Sequence, residues 1–135
     1  MPTPEDEILD LNRRLLAAVA AGDWKAYCQL VAEDVTCFEP EARGHLVEGL
    51  PFHEFYFKLP PPSEGKSAPR PVTTTMTAPS VRLLAPDVAL VAYVRLTQTL
   101  DEAGKPVTRS SEETRIWQKR AGHWKHVHFH RSLPS

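Results

Sequence analysis

The periodicity of apolar residues changes once along this chain, and that change limits the folds open to it. In the first 34 residues apolar side chains recur every three to four positions, the spacing of an amphipathic helix. From residue 72 onward they alternate with polar ones in β-branched, threonine-rich runs separated by turn residues, the pattern of half-buried strands. Helices first and long hairpin strands afterwards predict an α+β domain with helices packed on one face of a curved antiparallel sheet. The chain has 135 residues, enough for a single domain over 1–135. Its 41% hydrophobic content is sufficient for a core.

Local signals divide the helical part. Thr3 is placed as an N-cap, Pro4 at the first helical position, and Asp6 where a capping box needs a carboxylate. Ile8, Leu11, Leu15 and Val19 form the apolar stripe, widened by Leu16, and Ala20-Ala21-Gly22 ends the helix. Asp23 then caps a second helix with Trp24, Tyr27, Leu30 and Val31 on its apolar face. Residues 35–39 read as a short strand stopped by Pro40, and Pro51 opens a short helix carrying Phe52, Phe55, Tyr56 and Leu59. The proline-rich run at 60–71 suits neither ladder nor helix and reads as an exposed connector.

Four strands are predicted at 72–84, 88–100, 107–119 and 124–132. Strand parity puts Val91, Tyr93, Arg95 and Thr97 on one face, and Glu113, Arg115 and Trp117 on one face of the next strand. In the last strand Val127, Phe129 and Arg131 oppose Trp124, His126, His128 and His130. With Val127 and Phe129 turned to the helices, Arg131 points inward and meets Arg95 and Arg115. Three guanidinium groups in one concavity need counter-charges. Two readings meet that need: ion pairs to Glu39, Glu41 and Glu113, or a pocket whose planar arginine forks grip a small carboxylate.

Other chemistry is sparsely signalled. Sixteen basic residues against seventeen acidic give a net charge of -1, so no basic field draws the chain to nucleic acid or anionic lipid. No run approaches the ~20 apolar residues of a membrane span, and the acidic start lacks the apolar core of a secretory signal. A cytoplasmic location, with no nucleic-acid or membrane partner, is therefore expected. Cys28 and Cys37 are expected to be free thiols. Alternating His126, His128 and His130 could share a zinc ion, but a polar or inter-subunit sheet face accounts for them more simply, and no metal or cofactor is expected. The chain has no Gly-x-Ser-x-Gly elbow, phosphate-binding glycine loop or paired Cys-x-x-Cys motifs. His53, Glu39 or Glu113 could act as a general base if buried beside a substrate.

Several blocks, in order, carry a resemblance: Phe38-Glu39-Pro40-Glu41-Ala42, Leu46-Val47-Glu48-Gly49-Leu50, Phe52-His53, Phe55-Tyr56-Phe57, Ser111-Glu112-Glu113-Thr114-Arg115 and Val127-His128-Phe129-His130-Arg131-Ser132. Together they resemble the association domain of calcium/calmodulin-dependent protein kinase II, here as a stand-alone, bacterial-type relative. The resemblance runs from about Glu7 to Ser132 and implies the cone of the nuclear-transport-factor-2-like superfamily. It also implies a self-associating, non-catalytic domain, at least a dimer, with a pocket for small carboxylates. The family's pocket residues match at His53, Arg95, Arg115 and Arg131, beside which Tyr93, Glu113 and Glu39 complete the expected site. Trp117, Trp124, His126 and His128 are the expected interface residues on the open sheet face. Related cones host isomerases, cyclases and dehydratases, so an enzyme using the same pocket is the alternative.

Overall fold

The computed structural model describes residues 2–58 and 72–134. Helix α1 spans Pro4–Ala21, and the expected capping box closes its start: Thr3 accepts from the Asp6 amide while the Asp6 carboxylate accepts from the Thr3 amide. Gly22, at φ 67°, ends it in the left-handed conformation that glycine adopts without strain. Asp23 caps α2, Trp24–Leu30, by accepting from the Ala26 amide. A short helix α3 occupies Pro51–Phe57.

Six strands follow the order β2-β1-β6-β5-β4-β3 in one sheet. They are β1 (Val31–Phe38), β2 (Val47–Glu48), β3 (Thr73–Ala85), β4 (Val88–Leu100), β5 (Pro106–Arg120) and β6 (His123–Ser132). The four long strands expected after residue 72 form the antiparallel hairpins β3–β4, β4–β5 and β5–β6. Ala121 and Gly122 both take positive φ at the last hairpin, as a two-residue turn between right-twisted strands requires. The proline-rich run at 60–71 lies outside the described residues.

Two expectations need correction. The second helix stops at Leu30, and Val31 begins a strand rather than closing a helical face. That strand lies parallel to β6, so the sheet is mixed. Val31 and Ala32 are both buried while Glu33 and Asp34 are both exposed, so the first half of β1 does not alternate. The pairing with β6 is irregular between Val31 and Thr36 for the same reason. Only from Val35 onward does the period of two appear, which is where sequence parity first detects a strand.

The second correction concerns β6. A bulge lies at Val127, because Trp117 pairs with His126 while the adjacent Ile116 pairs with His128. One extra residue reverses the facing of everything before it. His126 therefore turns into the core on the same side as Phe129, stacked on its ring at 5.4 Å and 22°, instead of sharing an outer face with His128 and His130.

The core lies between α1, α2 and the concave face of the sheet. Ile8, Leu15 and Leu16 of α1 meet Tyr27, Val35, Ala89, Val91 and Trp117. Asn12, one helical turn after Ile8, is also fully buried. Its side-chain oxygen accepts from the Trp117 indole N–H at 3.0 Å, and its amide nitrogen lies 3.2 Å from the Met76 sulfur. A buried indole without an acceptor carries a desolvation cost of about 1–3 kcal/mol. Asn12→Ala should therefore lower the unfolding free energy by about 2 kcal/mol in urea titrations at fixed protein concentration. A loss below about 0.5 kcal/mol would show that this bond does not tie helix to sheet.

Candidate functional site

The open end of the cone holds a cavity of about 270 Å³. Arg95 of β4, Arg115 of β5 and Arg131 of β6 all reach it, with Glu39 and Glu41 following β1 and His53 in the first turn of α3. Tyr27, Tyr56, Phe57 and Phe129 supply apolar and aromatic wall. The residues expected from parity and resemblance thus converge, with Tyr93 and Glu113 in the layer behind the arginines.

Glu113 organises that layer. Its side chain is fully buried. One oxygen accepts from the Tyr93 hydroxyl at 2.6 Å and from Arg115 Nη2 at 3.0 Å. The other accepts from the Ser111 hydroxyl at 3.0 Å and lies 3.0 Å from Arg95 Nε. Burial raises the pKa of this carboxyl, but Arg115, Arg95 and the Tyr93 hydrogen bond outweigh burial and hold it below the usual range. Held ionised between two arginines and two hydroxyls, Glu113 serves as the counter-ion of this layer.

Arg115 is almost wholly buried. Its Nε donates to the Tyr93 oxygen at 2.8 Å, and the guanidinium stands 4.4 Å from the centre of the Phe129 ring. Burial favours its neutral form, yet Tyr93 and Glu113 keep it firmly charged. Arg131 donates to Glu41 at the cavity rim. Arg95 is in ion-pair range of Glu113, but its Nε lacks a well-directed hydrogen bond among the described residues. The internal ion pairs weighed from sequence are therefore present for Glu113 and Glu41. Glu39 differs, since among the described residues its only ion-pair contact is His53 Nε2 at 3.9 Å. Burial, then the neighbouring Glu41, raises its pKa against the pull of Arg131.

His53 is buried with Nδ1 3.3 Å from the Tyr27 hydroxyl and Nε2 3.4 Å from the Cys37 sulfur. Burial, helped by Arg115, pulls its pKa down to about 4, which keeps the ring neutral. Burial pushes the Cys37 thiol up to about 12. Tyr27 and Cys37 were not singled out as site residues from sequence. The parity of 35–39 does place Cys37 on the same side as Glu39, and that signal could have found it.

The expected interface set divides. Trp117 and His126 are fully buried in the core, and Trp124 packs against it while donating to Glu7 at 2.7 Å. Only His128 keeps the outer position, hydrogen-bonded to Thr36 at 2.6 Å. With His126 facing inward, the three histidines cannot form one metal site on one sheet face. No helix is long and apolar enough to cross a membrane among the described residues.

Helices packed on a curved mixed sheet around a cavity make a fold also seen in solved proteins of the nuclear-transport-factor-2-like superfamily. A protein of that superfamily from Salmonella enterica superposes with a TM-score of 0.73 at 20% identity, over 97% of this chain and 91% of the other. The more specific assignment follows from residues 4–135, which match the family described as the calcium/calmodulin dependent protein kinase II association domain. The chain belongs to that family. It is similar to the CamKII hub homology domain of Chlamydamonas reinhardtii at 46% identity, covering 98% and 99% of the two chains with a TM-score of 0.92. It is also 44% identical over 128 residues to the delta subunit of calcium/calmodulin-dependent protein kinase type II from Oryctolagus cuniculus. That match takes in 95% of this chain and 23% of the kinase subunit, so the chain spans about a quarter of that relative's length.

His126 also gives the fold a pH dependence. Burial, with Arg115 and then His53 and His128 adding like charge, drives its pKa well below 6.5. The unfolded chain binds a proton below about pH 6.5 that the folded chain refuses there, so stability falls as pH drops through that value. His126→Leu should flatten the decline in unfolding free energy by about 1.4 kcal/mol per pH unit below pH 6. An unchanged slope would mean that His126 protonates without cost inside the fold.

Proposed function

We propose that this chain is a self-associating domain whose cavity binds a small organic carboxylate without transforming it. The observation that carries the ligand reading is the charge arrangement at the cavity. Three guanidinium groups meet two carboxylates paired with them, because Glu113 serves both Arg115 and Arg95 and Glu41 takes Arg131. Glu39 lies against His53 rather than on an arginine. Arg95 and Arg131 both line the cavity, and a planar carboxylate can accept two parallel hydrogen bonds from a guanidinium fork. The aromatic walls of Tyr56, Phe57 and Phe129 suit a short apolar body behind the carboxylate.

Self-association is supported by family membership and by the outer face of the sheet. There Leu90, Ala92 and Val94 of β4 lie opposite Ile116, Thr114 and Glu112 of β5. Val94 remains 38% exposed and Leu90, Ala92 and Ile116 are half-buried, with no helix over this side of the sheet among the described residues. A second copy of the chain fits this face, since like faces meet about a two-fold axis. The catalytic alternative is less well supported. Glu113 is held as the counter-ion of Arg95 and Arg115, and both His53 nitrogens already have neighbours in Tyr27 and Cys37.

Two measurements test the two halves. Calorimetric titration of the chelator-treated protein with butyrate and benzoate should show binding that weakens at least about tenfold in Arg131→Ala, the loss expected for one charge-assisted hydrogen bond. Wild-type affinity retained in both Arg131→Ala and Arg95→Ala would overturn the pocket. Light scattering should report at least a dimer, and Val94→Asp should shift it toward monomer. A monomeric wild-type chain at the same concentration removes the self-association reading.

A further inference from the structure

One wall of the cavity brings Cys37 against Glu39 and His53, two residues of the expected pocket that make no ion pair with an arginine among the described residues. Cys37 and Glu39 lie two residues apart where β1 ends, so their side chains leave the backbone on the same side. His53 arrives from α3. The Cys37 sulfur is 3.4 Å from His53 Nε2, which is 3.9 Å from a Glu39 carboxylate oxygen. All three donor atoms lie within 4.8 Å of one another. Cys37 is fully buried, His53 nearly so, and the Glu39 side chain is only 10% exposed. We propose that Cys37, Glu39 and His53 form a binding site for one divalent cation of the zinc class.

The donor set and its spacing both favour this ion. Thiolate, imidazole and carboxylate are the three donor types that zinc accepts, and three protein ligands leave a fourth position open. Bond lengths of about 2.0–2.3 Å in a tetrahedron put ligand atoms about 3.3–3.6 Å apart. The sulfur–nitrogen edge already has that length. The carboxylate oxygen, 3.9 Å from the imidazole nitrogen and within 4.8 Å of the sulfur, must close on both to reach the same tetrahedral spacing, a swing its flexible side chain can make. Its lack of an arginine partner among the described residues leaves it free to do so.

The surroundings complete the site. The Tyr27 hydroxyl, 3.3 Å from His53 Nδ1, can accept that nitrogen's proton and leave the Nε2 lone pair facing Cys37 and Glu39. An outer partner of this kind orients most metal-binding histidines. As the sulfur–metal bond forms, the thiol proton leaves to solvent, and thiolate plus carboxylate then match the two positive charges of the ion. The nearby guanidiniums do not forbid it, because Arg131 is paired with Glu41 and both Arg95 and Arg115 with Glu113. Glu39 and His53 also line the cavity, so the fourth position opens there to water.

Cobalt(II) is the probe, added to the full chain after chelator treatment. Wild type should take up one ion per chain and develop the near-ultraviolet charge-transfer band of a thiolate–cobalt bond, which zinc(II) then abolishes. Cys37→Ala should lose the band and weaken zinc binding by at least about 100-fold, whereas Cys28→Ala should match wild type. Tyr27→Phe should weaken zinc about tenfold while keeping the band. If Cys37→Ala does not fold by circular dichroism, Glu39→Gln decides, with a retained band and affinity down at least tenfold. A wild-type chain without the band, or zinc affinity unchanged in the deciding variant, overturns the site. Carboxylate binding is measured on metal-free protein, so the two readings fail separately.

Discussion

One buried carboxylate holds the working end of this cone together. Glu113 sits between Arg95 and Arg115 with Tyr93 and Ser111 donating to its oxygens, all on adjacent strands. Placing Arg115 in the interior alone would cost several kcal/mol, and Glu113 is what makes that burial tolerable. A pair of this kind adds little net stability over apolar residues, so its value lies in fixing positions. Arg115 is pinned by Tyr93, Glu113 and the Phe129 ring, and after burial it is the charge that disfavours protonation of His53.

The bulge at Val127 is the second constraint, and it acts through geometry alone. By turning His126 inward it inserts a neutral imidazole between Trp117 and Phe129, where Nε2 meets Arg115 Nη1 at 3.4 Å. Beyond the bulge, Phe129 and Arg131 face the cavity as regular alternation would have them. The same strand thus feeds the hydrophobic core with one half and the cavity with the other. His128 and His130 remain on the outer side of the sheet, beside Phe38.

What the sequence made legible follows from how local each signal is. The capping box at Thr3 and Asp6, the stop at Gly22, and the alternation in β4 and β5 depend on neighbours within a few residues, and all appear as expected. Arg95, Arg115 and Arg131 could be brought together because parity within a strand survives folding where no bulge intervenes. Val31 and His126 could not be placed in this way. Val31 is strand only because β6 pairs with it, a contact between residues far apart in the chain. His126 faces inward because of one extra residue that leaves no compositional mark. Asn12 breaks an apolar stripe to serve an indole 105 positions away, which no window along the sequence contains.

The cavity's electrostatics join the anion reading to the cation site. With Glu39 ionised, its three guanidiniums and three carboxylates cancel, and an entering anion gains from direction and spacing more than from net attraction. A divalent ion on Cys37, Glu39 and His53 changes that balance. It brings two positive charges and leaves behind one new negative charge, the thiolate, so the cavity acquires one unit of positive charge within reach of Arg95 and Arg131. Unlike a surface ion pair, this charge lies in a partly enclosed space lined by Tyr27, Phe57 and Phe129, where screening is weak. Occupancy of the three-residue cluster would thus tune the cavity from a neutral, shape-selecting pocket to one that attracts carboxylates, with no backbone movement required.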